Sequence, residues 1–464
     1  MKSFVHLHVH SYYSILDGMS TIPGLIEKAL ANNMNAIALT DHGNMFGVKE
    51  FYNYAKKKNA AHFSEIKSVE KQLKQPDLNE EQRALLNGQL QAAKSKLFKP
   101  ILGCEAYVAR RSRFSKDKDN PGDRSGYHLV LLAKNKKGYQ NLCKLVSLGW
   151  MEGFYYRPRI DHEILEKYSE GIIASSACLG GEIHKKVESG NLEEAEQSVL
   201  WYKRVFGDDF YIELQLHKTD KPNADYEVYE KQKRQNEELI ALARKTNTKL
   251  LVTNDVHFID EDHGEAHERL ICLSTGKDLD DPSRMRYSKQ EYLKTPDQMW
   301  EIFADLPEAL ENTLEVAGKV EFYDIDSAPM MPVFPIPEEF GTEESYGSRY
   351  TEEMLREEFG DGFDRLGSYE KVLRVKLEAD YLKELTMQGA KQRYGEVLDD
   401  ETSERIEFEL NVMKTMGFPG YFLIVQDFIR AARDMGVSVG PGRGSAAGSV
   451  VAYCLRITDI DPLK

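Results

Sequence analysis

Short apolar runs alternate with longer amphipathic stretches along the first half of the chain. Seven apolar runs have the length and composition of β-strands: Phe4–Val9, Ala36–Thr40, Ile101–Val108, His128–Ala133, Gly171–Cys178, Phe210–Leu216 and Leu250–Asn254. Between most of them the apolar residues recur at helical spacing, in Ile22–Ala31, Phe46–Lys57, Tyr139–Leu148, Leu192–Phe206 and Tyr226–Lys245.

This alternation of strand and helix favours an α/β fold with a mainly parallel sheet over a β-sandwich. Seven strands suit a distorted (β/α) barrel. In such a barrel the functional side chains gather where the strands end, on the C-terminal rim. We therefore predict a barrel whose site is built from residues that are distant in sequence.

One stretch, residues 58–98, interrupts the alternation. It is rich in Lys, Gln and Glu and carries two runs of helical apolar spacing, separated by Pro76, Asp77 and the candidate N-cap Asn79. We interpret it as a helical hairpin inserted into a βα loop. A charged, solvated hairpin without a function of its own is the simplest explanation.

The second half of the chain has a different pattern. After about residue 285 the β-then-α rhythm is lost, residues 324–342 are loop-like and contain four prolines, and a mainly helical stretch follows from Thr351 to Met435. We predict two domains, residues 1–285 and 286–464. We expect the second to be of mixed α+β type.

Composition narrows the classes of function. The 464 residues carry a net charge of −15, which argues against binding nucleic acid through bulk positive charge but not against a site that uses bound cations. No signal peptide or membrane-spanning run is present. The five cysteines are scattered and contain no CxxC pair, which indicates a reducing compartment and a cytoplasmic location.

Histidines at the start of the chain indicate a metal site. His6, His8 and His10 alternate with Leu7 and Val9, so a strand would place the three imidazoles on one face. Neutral imidazoles side by side leave unsatisfied nitrogens, which a bound metal would satisfy. Taken alone, these three histidines are equally compatible with a hydrogen-bonded structural cluster.

Further potential ligands lie in or directly beside the other predicted strands, which strengthens the metal hypothesis. In a barrel they converge on one rim. They are Asp17, His42, Glu105, His128, Cys178, Asp255 and His257. The remaining histidines lack this placement, and we interpret them as surface or helix residues.

The same motifs resemble a known family. HLHVHS, LDG, LTDHGN, GCEAYV, YHLVLLAKN, SSACLGG and TNDVHF are similar to the successive motifs of the polymerase-and-histidinol-phosphatase (PHP) domain, in the version that begins the bacterial replicative DNA polymerase III alpha subunits. Further along, MGFPGYFLIVQDFI and GVSVGPGRGSAAGS resemble the first part of that family's palm domain.

The resemblance implies nine metal ligands, with His6 beside the metals rather than bound to them: His8, His10, Asp17, His42, Glu105, His128, Cys178, Asp255 and His257. It implies two or three Zn²⁺ or Mn²⁺ ions and a 3′–5′ proofreading exonuclease. The alternative is a structural metal-bound scaffold that docks a separate proofreading subunit. A small-molecule phosphatase is disfavoured because such an enzyme has no use for a palm-like segment.

The glycine-rich motif resembles the family's loop for an incoming deoxynucleoside triphosphate. We expect Arg443, Gly444 and Ser445 to contact it, in a loop that opens a helix over Ala446–Leu455. Asp459 and Asp461 resemble the segment before the catalytic acidic motif, so we do not assign them to Mg²⁺. We expect polymerisation on a DNA primer-template, with a sliding clamp, only from the full-length protein and no primer extension from these 464 residues.

Overall fold

The computed structural model describes residues 2–327, 330, 332–442 and 444–464. The chain separates into two compact units, Met1–Asp326 and Ser327–Lys464. The domain boundary predicted from sequence at residue 285 lies inside the first unit and stays a prediction.

The first unit is built on one curled sheet of seven strands, in the order β1-β2-β3-β5-β6-β7 with β4 beside β2. Most neighbours are parallel, but β3 runs antiparallel to both β2 and β5. The strands are β1 Ala36–Leu39, β2 Lys99–Ala109, β3 Gly126–Ala133, β4 Arg159–Ile160, β5 Ile172–Ser175, β6 Phe210–Leu214 and β7 Lys249–Val252. The α/β prediction with a distorted barrel-like sheet is confirmed.

Helices follow most strands and cover the sheet. Those of the first unit are α1 Ile22–Ala31, α2 Val48–Leu73, α3 Glu80–Ser95, α4 Lys136–Met151, α5 His162–Lys167, α6 Glu182–Glu188, α7 Leu192–Phe206, α8 Glu227–Thr246, α9 Gly264–Thr275, α10 Pro296–Ile302 and α11 Pro307–Lys319. Among the described helices, none combines the length and apolar character that a bilayer span requires.

The predicted first strand, Phe4–Val9, is an extended segment rather than a regular strand. Its carbonyl groups accept hydrogen bonds from residues of β1 and of the loop after β7, so it connects the two ends of the strand path. The ladder is interrupted because side-chain hydroxyls replace backbone partners. Thr313 accepts the N–H of Val5, and Thr40 accepts that of Val9.

Alternate residues of each strand face two different cores. Ile37 and Leu39 of β1 pack in the large cluster beneath the helices, whereas Ala36 and Ala38 join a smaller cluster on the other face of the sheet. Val316 and Val320, in and just after α11, pack into that smaller cluster as well. This second face is apolar at one end of the strands, and its other end carries the polar residues described below.

The helical hairpin predicted for residues 58–98 is present, although its first helix is continuous with the helix before it. α2 and α3 pack through a small cluster of Ile66, Ala93 and Leu97. The break between them is fixed by Asn79, whose side chain accepts from the N–H of Gln82 while the Gln82 side chain accepts from the N–H of Asn79.

The second unit is helical, and its described residues contain no strand, which differs from the mixed α+β domain expected from sequence. Two apolar clusters form its core, one around Leu382, Ile406 and Leu423, the other around Phe359 and Val372. Its helices are α12 Glu343–Gly347, α13 Glu352–Phe359, α14 Asp361–Leu366, α15 Tyr369–Tyr394, α16 Asp400–Met416, α17 Pro419–Asp434 and α18 Val450–Cys454.

Replacing Arg159 by methionine should destabilise the first unit by about 3 kcal/mol or more. Arg159 is fully buried, and its guanidinium donates to four backbone carbonyls, those of Arg113, Ser115, Asp123 and Gly153. The variant leaves these carbonyls buried without a donor. Urea unfolding followed by tryptophan fluorescence measures this unit, because all three tryptophans lie within it.

Arg204→Met is the matched control for this prediction. Arg204 is exposed and pairs with the exposed Glu166, so its removal should leave the unfolding midpoint almost unchanged. Equal midpoints for the Arg159 and Arg204 variants would contradict the structural role of Arg159.

Candidate metal centre

The polar end of the second sheet face gathers the predicted ligands. On β2, Ile101 belongs to the apolar cluster, and Glu105, four residues further, points from the same face. On β3, which runs the opposite way, Val130 lies in the cluster and His128 precedes it by two residues. Side chains on one face of a strand recur every two residues. The same face of β2 and β3 therefore carries apolar residues at one end and candidate ligands at the other, at the same level of the sheet.

One group of ligands surrounds Asp255, in the loop after β7. The Nε2 atoms of His8 and His10 lie 3.3 and 3.2 Å from Asp255 Oδ1. Glu105 joins this group, with its Oε1 3.3 Å from His8 Nε2 and its Oε2 3.6 Å from His10 Nε2. Asp255 has a left-handed backbone with φ 47°, a strained conformation for a residue other than glycine.

A second group surrounds Glu105 on its other side. Its Oε1 lies 2.7 Å from His128 Nδ1, and its Oε2 lies 2.5 Å from His42 Nδ1. The thiol of Cys178 is 3.6 Å from His128 Nδ1 and 3.8 Å from the Glu105 carboxylate. Glu105 thus lies between the two groups, as a bridging carboxylate would.

Asp17 and His257 complete the set. Asp17 Oδ2 lies 2.9 Å from His42 Nε2 and 3.8 Å from His257 Nε2. The ring of His10 packs against those of both His42 and His257, at 4.0 and 4.4 Å. All nine side chains predicted from sequence are therefore brought together at one end of the sheet. Three overlapping trios within them have ligand atoms within 4.8 Å of one another.

Six buried atoms of this set lie close to other members of it, but none forms a well-directed hydrogen bond with a described residue. Burying a polar atom without a partner is costly, so such atoms mark a missing positive group. They are His8 Nε2, His10 Nε2, His42 Nδ1, His257 Nε2, Glu105 Oε2 and Asp255 Oδ1. Imidazole, carboxylate and thiol donors together fit Zn²⁺ or Mn²⁺.

The electrostatics of the centre are set by carboxylates. Although burial opposes it, the carboxylates of Asp255, Glu213 and Glu105 raise the pKa of His8 well above its usual value. The pKa of His10 is lowered to about 3, first by burial and then by its neighbours His42 and His257. His10 is therefore neutral, the form that binds a metal, whereas His8 holds a proton until a cation replaces it.

Several supporting residues were missed by the sequence analysis. Glu213 of β6 is fully buried and accepts from His8 Nδ1 at 2.7 Å, from Ser175 and from Thr253. Tyr287 donates to Asp17 Oδ1 at 2.8 Å. The position of Glu213, two residues after the buried Tyr211 on the same face, is the signal that could have identified it.

The other histidines divide into two kinds. His6 binds the Lys294 carbonyl through Nε2 at 2.8 Å and lies outside the ligand groups, as expected. Among the remaining histidines, His184 and His267 lie in helices as expected, whereas His217 lies buried in the loop after β6. His184, His217 and His267 are buried, and His267 Nε2 contacts the Asp17 carbonyl at 2.8 Å, because the loops around the centre pack over it.

The glycine-rich loop differs from its prediction in one respect. The expected helix over 446–455 is shorter, with a 3₁₀ turn at Gly444–Gly448 followed by α18. The first amides of α18 are not free, because the Glu409 carboxylate accepts from the N–H groups of Val450 and Val451. Gly444 and Ser445 are exposed, while Arg443 lies outside the described residues. Their role in binding a nucleotide stays a prediction.

The two aspartates near the end of the chain have structural partners. Asp459 accepts from Arg393 and Arg433 at 2.6 and 2.9 Å. Asp461 accepts from the Tyr394 hydroxyl at 2.9 Å. That Asp459 and Asp461 stay outside a Mg²⁺ site remains a prediction.

Comparisons with known proteins place this geometry in a family. A family model for the PHP domain matches residues 6–217, and one for the bacterial DNA polymerase III alpha NTPase domain matches residues 380–464. The DNA polymerase III subunit alpha of Borreliella burgdorferi is 42% identical over 463 residues. The chain belongs to the bacterial DNA polymerase III alpha family.

Other alpha subunits show how much of such a protein is covered. Those of Campylobacter jejuni and Thermus aquaticus are each 37% identical, over 478 and 495 residues. The three alignments cover 99, 100 and 99% of this chain but only 33, 34 and 36% of the relatives. The chain spans about a third of the length of the curated relatives it matches.

Replacing Glu213 by glutamine should weaken metal binding by about 10- to 100-fold, because an outer carboxylate orients its ligand imidazole and raises its basicity. Competition with a chromogenic chelator for Zn²⁺ measures the change. Glu166→Gln, on the exposed surface, is the matched control and should bind as the parent does. Equal affinity of the Glu213 variant would show that this contact does not support the ligand.

Metal binding should release protons and weaken as the pH falls. The pKa values of both His8 and His42 are raised by surrounding carboxylates despite burial, so each must lose its proton to bind a cation. Titration calorimetry in buffers of different ionisation enthalpy measures the release. A binding enthalpy independent of the buffer would contradict this exchange of protons for cations.

Proposed function

We propose that the first unit of this alpha-family chain is a metal-dependent 3′–5′ exonuclease that hydrolyses phosphodiester bonds at the end of a DNA strand. The observation that carries the proposal is a set of nine ligand-type side chains at one end of the sheet. Six buried atoms of these side chains form no hydrogen bond with a described residue.

Some of the ligand side chains are buried, and others are partly exposed to solvent. His8, His10 and Glu105 are buried, at 0, 0 and 1% exposure, and form the floor of the centre. The side chains of Asp17 and His128 are 26 and 25% exposed and lie toward solvent. A purely structural site is closed by its protein ligands, whereas a catalytic one keeps a position open to substrate. The exposed side supports a catalytic centre.

Divalent cations, when bound, lower the pKa of water and neutralise the charge on phosphate. The chain's own contribution is to hold the ligands in place. Glu213 fixes the ring of His8, Tyr287 fixes the carboxylate of Asp17, and burial keeps His10 neutral. We infer two or three Zn²⁺ or Mn²⁺ ions from the overlapping ligand trios.

A structural role is the second candidate. The centre connects the N-terminal segment, β2, β3 and the loop after β7, so bound metal would brace the first unit even without catalysis. In that case a separate proofreading subunit would supply the nuclease. The two candidates share all nine ligands and differ only in whether substrate reaches the cations.

For the full-length protein we propose DNA-directed DNA polymerisation. The substrates would be a DNA primer-template and deoxynucleoside triphosphates, with Mg²⁺ as cofactor and a sliding clamp as partner. Arg443, Gly444 and Ser445 would contact the triphosphate from the second unit. The described cysteines are free thiols, which agrees with action in the cytoplasm.

The exonuclease proposal predicts that His8→Ala abolishes hydrolysis of a 5′-labelled single strand in the presence of Zn²⁺ or Mn²⁺. The loss should exceed about 100-fold, because removing a ligand removes charge stabilisation from the reaction. Gel electrophoresis of the shortened products measures the rate. His62→Ala, on α2 outside the centre, is the matched control.

Metal analysis of the same preparations separates the two candidates. Bound metal together with hydrolysis that is lost in His8→Ala supports the exonuclease. Bound metal without hydrolysis, or hydrolysis that survives in His8→Ala, overturns it and leaves the structural role.

A further inference from the structure

Three exposed aromatic side chains lie in a row beside the metal centre. Phe46, Trp150 and Phe154 are 57, 42 and 45% exposed. The rings of Phe46 and Trp150 are 5.9 Å apart, and those of Trp150 and Phe154 are stacked at 5.4 Å with an interplanar angle of 20°. We call these three residues the aromatic ledge. Large apolar side chains exposed together mark a binding surface more often than single ones do.

The ledge is fixed relative to the ligand His42. The indole N–H of Trp150 donates to the carbonyl of Gly43, the next residue in the chain, at 2.9 Å. Gly43 has φ +62°, and a Cβ there would come within 2.8 Å of Pro158, so the loop that carries Phe154 packs closely against it. Trp150 is therefore held against the residue that follows the ligand His42.

A cationic side chain lies over a tyrosine ring that contacts two of the ligands. Arg157, three residues after Phe154, places its guanidinium 5.6 Å from the ring centre of Tyr107. That ring in turn stacks on His42 and meets His128 edge-on. Arg157 is exposed, and its guanidinium forms no ion pair or hydrogen bond with any described residue. An unpaired guanidinium beside a phosphodiesterase centre suits a phosphate group.

We infer that the aromatic ledge and Arg157 form the binding site for the unpaired 3′-terminal nucleotides of a single DNA strand. The bases stack on Phe46, Trp150 and Phe154, and Arg157 holds a backbone phosphate next to the metal centre. This inference rests on the proposed exonuclease function and deepens it by naming the substrate class and its contacts.

The arrangement favours single-stranded nucleic acid over other occupants. Stacking on aromatic rings beside a cationic side chain is the usual way to hold a single strand without reading its sequence. Bases within a duplex are already stacked and cannot reach the rings. A site of this kind therefore selects frayed 3′ ends over paired ones.

The decisive experiment measures binding in the presence of EDTA, where no hydrolysis occurs. The probe is a fluorescent twelve-nucleotide single strand, compared with one whose last two 3′ nucleotides lack bases. We expect Phe46→Ala/Phe154→Ala to weaken binding of the complete strand by about tenfold or more. The same variant should bind the abasic strand as the parent does, because the lost contacts are with bases.

Two further variants complete the design. Phe322→Ala removes an exposed aromatic ring that lies over Lys99 at the start of β2, away from the centre, and should bind as the parent does. Arg157→Ala should weaken both strands and reduce the dependence of binding on salt, because it removes a phosphate contact.

The outcomes separate this inference from the proposed function. Equal binding of the complete strand by the parent and the Phe46/Phe154 variant overturns the inference, even if hydrolysis is observed. Base-dependent binding through the ledge with no hydrolysis in Zn²⁺ or Mn²⁺ supports the inference and overturns the exonuclease. An equal loss on both strands would indicate a distorted loop and would also count against the ledge. A Phe154→Trp variant, which keeps an aromatic ring at this position, would reverse that conclusion only if it binds the complete strand better than the abasic one.

Discussion

Buried carboxylates without a fixed cation are the constraint on which the first unit depends. Glu105 and Glu213 are buried at 1 and 0% exposure, and Asp255 lies beside them. Among the described residues, their ion-pair partners are imidazoles, and no lysine or arginine joins them. Such a concentration of negative charge is costly unless protons or metal ions compensate it. The fold is therefore organised to receive cations.

The same constraint explains the form of the N-terminal segment. His8 and His10 both approach Asp255 and Glu105. A regular ladder of backbone hydrogen bonds on either side would tie the N-terminal segment to one neighbouring element alone. Its sparse hydrogen bonds to β1 and to the loop after β7 let it lie between them. The left-handed backbone of Asp255 serves the same end, because it turns the loop back toward the imidazoles.

The sequence was sufficient to predict which residues gather but not what supports them. Glu105 lies within an apolar run and Asp255 follows one, and the folding of these runs into one sheet brings both positions to the same end. Glu213 and Tyr287 are single polar residues whose importance depends on packing across the sheet. The ledge could not be predicted either, since Phe46 and Trp150 are separated by about a hundred residues and come together only in the folded chain.

The distribution of charge, rather than its total, determines whether an acidic chain can act on DNA. Part of the net charge of −15 is enclosed in the metal centre, where protons or cations neutralise it. At the start of α18, after the glycine-rich loop, the Glu409 carboxylate already accepts hydrogen bonds from the first backbone N–H groups. Any phosphate bound there must rely on the exposed loop itself, not on the dipole of α18.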